Sequence, residues 1–360
     1  MSELLELLQS NYRELEFLAD SPLAPFTAVK IGGPAEVLVT IDSSETLIDL
    51  VRFCKRNAIP VTILGWGANT LIADRGIRGL VIRNVTKELE ISEDRAAPSA
   101  NSSIDIAPRH AVTSPDQSFS TLDYQETPGT ARVRVTVASG WPLASLIPTL
   151  LARSITGLQW YSRIPATIGG AVVNNIHGGT HFLSEVIESV DVLTLEGDGE
   201  RLTPQECEFD YDYSRFHHSQ EIITSVSLLL WKGDVDKARA TVGQWAKLKS
   251  NQPQHSLGCT FRNISAEVQK EHNLPTPSTG YLIDQVLELK GTRIGGAQIS
   301  QKHAAFIENV ADATAQDYLD LSLLIARHAR EQLGIKLVPE IFFRGFASSE
   351  LQELAQTNSL

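Results

Sequence analysis

Positive charge, cysteine and long apolar runs are scarce in this chain. Its 31 Lys and Arg are outnumbered by 43 Asp and Glu, for a formal net charge of -12. An acidic chain repels phosphate backbones, so nucleic acid is not an expected partner. The three cysteines, Cys54, Cys207 and Cys259, lie far apart and form no CxxC pair. That excludes a disulfide framework and a structural zinc site, and it fits a reducing cytoplasm. No segment approaches the roughly 18 apolar residues of a membrane span, so no membrane partner is expected. The start, "MSELLELLQSNYRELEF", is acidic and patterned as an amphipathic helix, without the basic region of a signal peptide. His217 and His218 are adjacent rather than spaced as ligands, and no metal is expected.

What remains is an ordinary globular composition, 42% hydrophobic and 21% charged, in 360 residues. That length suits two or three domains. Residues 1–20 read as helix. "AEVLVTI" (35–41), "PVTILG" (60–65) and "GLVIRN" (79–84) read as strands around a helix over 43–59 with Ser43 at its N-cap. Residues 92–129, rich in Ser, Pro, Asp and Ala, read as a loop-like or disordered insertion. Beyond it, 131–140 alternates as a strand and 142–155 is helical. A Gly-Asp-Gly turn near 197 marks a hairpin, and 221–231 is a long strand. In the last third, helices are expected from 234 to Pro253, over 280–291 and over 314–335, with strands at 304–310 and 336–345. The tail after 345 reads as peripheral, and there is no solenoid repeat.

Four stretches carry chemistry. In "GWGANTLIADRG" (65–76) the glycines let the backbone bend tightly and approach a ligand, and the free N–H groups suit an anion such as a diphosphate; a plain strand-to-loop turn is the alternative. In "SRIPATIGGAVVNNIHGG" (162–179), glycines and amides among small apolar residues suit a flat cofactor with a polar rim, or else a tightly packed helix start. In "GCTFRN" (258–263) the Cys259 thiol beside a glycine is either accessible or a small buried hydrophobe, as Cys54 and Cys207 are expected to be. Glu340 in "LVPEIFF" is either exposed on a strand face or turned inward with a raised pKa.

Taken in order from about residue 26 to 345, outside the insertion, these segments resemble the MurB family of UDP-N-acetylenolpyruvoylglucosamine reductases. "FTAVKIGGPAEVLV", "LGWGANTLIAD", "IPATIGGAVVNN", "GCTFRN", "GYLIDQVLELKGTRIGGAQIS", "KHAAFIEN" and "LVPEIFF" match its characteristic stretches, with Ala68 for serine and Ala166 for glycine. The resemblance implies an α+β fold: an FAD-binding, two-lobed domain of the vanillyl-alcohol-oxidase type plus a smaller α/β substrate-binding domain. The expected limits are 1–85 for lobe 1, 86–233 for lobe 2 (completed by the strand 336–345) and 234–335 for the substrate domain. It also implies FAD and NADPH as cofactors, a sugar-nucleotide substrate and a monomer.

Carried over residue by residue, the resemblance assigns FAD contacts to Gly65, Gly67, Ala68, Asn69, Thr70 and Leu71, and to Ile164, Pro165, Thr167, Gly169, Gly170 and Asn175. Substrate contacts fall on Tyr211, Asn263, Lys290 and His303. Cys259 stands where the family has a serine, and it becomes the general acid; a thiol is a stronger acid than an alkyl hydroxyl. Glu340 falls beside the substrate carboxylate, where a protonated carboxyl helps an enolate-like intermediate. Asp212 occupies the position of the family's carboxylate-binding arginine in "FDYDYSRF", and Arg215, three residues on, is the candidate to replace its charge, although on a strand it would point to the opposite face. The implied reaction is FAD-mediated reduction, by NADPH, of the enolpyruvyl ether of UDP-N-acetylglucosamine. The alternatives are an oxidase or dehydrogenase of the same flavin fold acting on another sugar or alcohol, and a flavin-binding protein without turnover.

Overall fold

The structure, a computed structural model, describes residues 3–92 and 124–355. It mixes helices and strands throughout, as the expected α+β class requires. The chain folds into two compact units, each made of discontinuous segments. One comprises 1–39, 66–81 and 251–360, and the other 40–65 and 82–250. The limits expected from sequence were 1–85, 86–233 with 336–345, and 234–335; the two compact units divide the chain at 39/40, 65/66, 81/82 and 250/251.

In the second unit, five antiparallel strands form one sheet in the order Gly199–Leu202, Ile187–Leu193, Ile222–Trp231, Arg132–Ala138 and Leu89–Ser92. Alternation in "RVRVTVA" sends Val133, Val135 and Val137 into the core, each no more than 1% exposed. The helix Leu143–Leu151 packs Leu143, Leu146 and Leu150 into the same core. The other side of the strand carries Arg134, which forks onto Glu188, and Thr136, whose hydroxyl meets that of Ser227 at 3.0 Å. Ser43 caps the helix Ser44–Arg56 as expected. Most of the insertion, 93–123, lies outside the described residues. Its last described part is fastened: Tyr124 packs on the Trp160 ring at 5.3 Å, and Glu126 accepts from the Thr156 hydroxyl at 2.6 Å.

In the first unit, Ser256–Cys259, Phe306–Asn309, Ala297–Ile299 and Arg293–Ile294 form a four-stranded antiparallel sheet in that order. Against it lies the helix Ala315–Leu333, which opens with a Thr314–Asp317 capping box and closes on Gly334 in the left-handed conformation. Leu319, Leu321 and Ile325 on that helix are at most 1% exposed, and each buried side chain contributes about 1.5–3 kcal/mol. Thr70–Ile72 and Phe342–Arg344 pair as parallel strands.

Four local expectations are corrected here. The first helix stops at Asn11, and Leu18–Pro22 is a strand, because pairing with Pro34–Ile41 outweighs local helix propensity. The helix expected over 280–291 is three residues of α-helix widening into a π turn over Leu282–Val286. Widening lets Leu282, Ile283, Leu287 and Leu289 all reach the core, and Glu288 then turns left-handed. Of the strand expected at 336–345, only Phe342–Arg344 forms a ladder, and Pro339 makes a single bridge to Phe261. The tail is docked rather than peripheral: Leu354 is 3% exposed within the core, and Arg327 pairs with Glu353 at 2.9 Å.

Candidate active site

Cys259 ends an edge strand that is irregular where it matters. Ser256 faces Glu308 and Cys259 faces Phe306, so the register shifts by one between them. Gly258 sits in that bulge at φ +85°, where a side chain would be strained. A bulge re-aims the side chain that follows it. The Cys259 thiol is partly exposed as a result, whereas Thr260 and Phe261 are no more than 1% exposed. Cys54 and Cys207 are fully buried, and burial pushes both thiols up to about 12. Only Cys259 of the three thiols has access to solvent.

Glu340 is drawn to this strand by the backbone. Its N–H donates to the Thr260 carbonyl at 2.9 Å, and the Arg262 N–H donates to the Val338 carbonyl at 2.9 Å. On its other side, the Asn69 side-chain amide donates to the Glu340 carbonyl at 3.1 Å, and the Phe342 N–H donates to the Asn69 carbonyl at 2.9 Å. Asn69, Glu340 and the residue after Cys259 are thus joined by hydrogen bonds across three separate stretches of sequence. Gly67, in the same loop as Asn69, is left-handed at φ +54°, and a Cβ there would lie 2.7 Å from the Phe26 carbonyl oxygen. Thr70 and Leu71 belong to the parallel strand pair, and Ala68 is half-buried.

The remaining candidates of this unit have structural partners. The Asn263 side-chain carbonyl accepts from the Thr279 N–H at 3.1 Å, at the start of the helical turn. Lys290 pairs with Asp284 at 2.8 Å. The His303 ring packs on Phe306 at 4.8 Å and lies 3.1 Å from where a Gly280 Cβ would be. Desolvation on that packed face holds the imidazole below its usual pKa, and the positive charge of Lys290 adds to the effect.

In the second unit, Thr167 caps the short helix Ile168–Val173 by accepting from the Gly170 N–H at 3.3 Å. Gly65 packs so closely on Thr167 that a Cβ would fall 2.7 Å from its hydroxyl, and Gly169 is closed off by Ser139. Gly170 differs: a Cβ there would meet only the Thr167 hydroxyl, at 3.5 Å, so its backbone faces open space. Nearby, the Asn174 side-chain carbonyl is buried without a hydrogen-bond partner. Ile164 packs against the core and Pro165 is exposed. Asn175 is fully buried, donating to the Asp210 carbonyl and accepting from the Ser184 N–H, each at 3.0 Å.

The turn 210–213 places Asp212 in the left-handed region at φ +47° and only 9% exposed. Its carboxylate lies 3.6 Å from His177 Nε2, and the His177 ring packs on Tyr211 at 5.3 Å. Arg215 stands in a 3-10 turn. Its guanidinium pairs with Glu221 at 2.8 Å and donates to the Glu206 carbonyl at 3.1 Å. Asp212 thus faces His177, which no local pattern in the sequence had marked.

Comparison with known proteins places these residues in context. A family model described as an FAD binding domain matches residues 118–203, and one described as the UDP-N-acetylenolpyruvoylglucosamine reductase C-terminal domain matches 250–343. The class is thus an FAD-dependent oxidoreductase. The reductase of that name from Myxococcus xanthus is 32% identical over 329 residues, 91% of each chain, and that from a Synechococcus species is 33% identical over 331 residues. The crystal structure of the Thermus caldophilus enzyme superposes with a TM-score of 0.63 at 27% identity, covering 92% of this chain and 98% of the other. The chain belongs to the UDP-N-acetylenolpyruvoylglucosamine reductase family.

The space at Gly170 and the unpartnered Asn174 carbonyl fit a bound group with a polar hydrogen to donate, as the N–H of the flavin ring provides. Among the described residues no group of three or more His, Cys, Asp or Glu could hold a metal ion, and no helix is long and apolar enough to cross a membrane.

Proposed function

We infer that the protein reduces UDP-N-acetylglucosamine enolpyruvate to UDP-N-acetylmuramate at the expense of NADPH, with Cys259 as the proton donor. The supporting observation is the backbone frame that fixes Cys259 beside Thr260 and draws Glu340 to that residue. The chemistry that FAD supplies when bound is hydride transfer, from NADPH to the terminal carbon of the enol ether. The 164–170 turn, with open space at Gly170, is a stretch that would hold it.

The chain's own residues complete the reaction. Once the terminal carbon has gained hydride, the carbon next to the carboxylate carries the electron pair and needs one proton. The Cys259 thiol gives that proton and is left as a thiolate, which regains a proton from solvent because its side chain is partly exposed. A carboxyl at Glu340 can hydrogen-bond the enolate-like carboxylate when protonated, stabilising charge that exists only in the intermediate. In the first unit, Lys290, His303 and Asn263 are the residues we assign to the substrate.

The experiment is anaerobic. The purified yellow protein should bleach on adding NADPH and recover its absorbance on adding the enolpyruvyl sugar nucleotide, with UDP-N-acetylmuramate appearing by mass spectrometry. Recovery only on admitting oxygen would contradict this function.

A further inference from the structure

Thr260 and Tyr318 form a side-chain hydrogen bond that the reaction itself does not require. The two hydroxyls lie 3.1 Å apart, Thr260 and Tyr318 are both 0% exposed, and they come from positions 58 residues apart. Tyr318 stands on the core face of the helix Ala315–Leu333, where an apolar residue would fill the same space without a polar atom to satisfy.

We propose that Tyr318 is a positioning residue for Cys259, acting through Thr260; this rests on Cys259 being the proton donor. Residue 260 is held from three directions. Its N–H donates to the Ala305 carbonyl at 2.8 Å, its carbonyl accepts from Glu340 at 2.9 Å, and its hydroxyl meets Tyr318. The strand ends at Cys259, and Thr260 stands in the bend that follows it, so pinning Thr260 fixes the backbone from which the Cys259 side chain leaves.

The pin is needed because the chain just before it is soft. Gly258 is left-handed with no atom within 4 Å of where its Cβ would be, and the pairing slips by one residue between Ser256 and Cys259. A one-residue slip exchanges the faces of every side chain that follows. Losing the phenol hydroxyl leaves the Thr260 hydroxyl buried and unsatisfied, and moving the strand is one way to relieve it. Burial raises the pKa of the Tyr318 phenol, so the hydroxyl stays protonated and able to donate.

The test compares Tyr318→Phe with wild-type holoenzyme by two rapid-mixing measurements and one labelling profile. Flavin bleaching by NADPH should keep its rate. Product formation from the reduced enzyme should slow by about tenfold, with KM for the sugar nucleotide within about twofold. The pH profile of iodoacetamide labelling at Cys259 should shift; Cys54 and Cys207 are buried and silent. Unchanged product formation, or an equal slowing of both half-reactions, would overturn the proposal. Should Tyr318→Phe fail to fold, Thr260→Ser and Thr260→Val carry the test. The serine variant, which keeps the hydroxyl, should form product about tenfold faster than the valine variant, and equal rates would overturn the proposal. A Cys259→Ala control separates the two ideas. If it forms product at the wild-type rate, Cys259 is not the donor, and the labelling profile alone decides whether Tyr318 sets the thiol.

Discussion

The strand that carries Cys259 and the turn that carries Asp212 are both departures from the family's usual residues, and they are built differently. Around Cys259 the framework is backbone: Thr260, Arg262, Glu340 and Phe342 are tied through their own N–H and carbonyl groups. These bonds do not use the side chain of residue 259, so a thiol can replace a hydroxyl there without disturbing the backbone of Glu340. Around Asp212 the framework is side chain: Asp212 faces His177, and Arg215 is held by Glu221. There a change of one side chain changes the partners of the others. The backbone at residue 259 does not depend on its side chain, whereas the contacts at residue 212 do.

Breaking the first region should cost most. Glu340→Gln keeps the backbone frame but removes the carboxyl, and kcat should fall by about 100- to 1000-fold with flavin bleaching unaffected. A steady-state rate within about threefold of wild type would remove Glu340 from the chemistry.

Changes in the second region should act mainly on stability. Arg215→Met leaves Glu221, whose side chain is 10% exposed, without its cation, at a cost of about 1–3 kcal/mol by thermal or urea unfolding. The accompanying loss in kcat/KM should stay below about fivefold, because the guanidinium is already committed. A large kinetic loss with an unchanged melting temperature would restore Arg215 as a substrate-binding cation.

The smallest effect is expected at His303, whose pKa is lowered in the folded state. A lowered imidazole pKa means that the unfolded chain binds the proton more readily. The stabilisation is therefore full above the unfolded value, near 6.5, and is lost as pH falls through that value toward the folded one. His303→Gln should flatten the fall in melting temperature between about pH 7.5 and pH 5.5. Identical pH profiles for the two proteins would show that protonation of His303 is not linked to folding.

Much of this organisation was legible in local patterns. Alternation marked Arg132–Ala138, the Ser43 cap marked its helix, and the order of the glycine-rich and Gly-Cys-Thr-Phe-Arg-Asn stretches marked the chemistry. What local pattern could not carry was pairing at a distance. Leu18–Pro22 is a strand only because Pro34–Ile41 lies beside it, and the tail docks only because the core has room for Leu354. The same limit applies to the site. Cys259 and Glu340 were visible as candidates, but the Thr260–Tyr318 bond and the Asp212–His177 contact join residues 58 and 35 positions apart, and neither has a local signature.

The most direct test is a single turnover of the Cys259→Ala enzyme, reduced with one equivalent of NADPH and mixed with the enolpyruvyl sugar nucleotide without oxygen. Flavin reduction should match wild type, while UDP-N-acetylmuramate, quantified after acid quench, should form about 100- to 10,000-fold more slowly. Product appearing at the wild-type rate would show that the proton comes from another group.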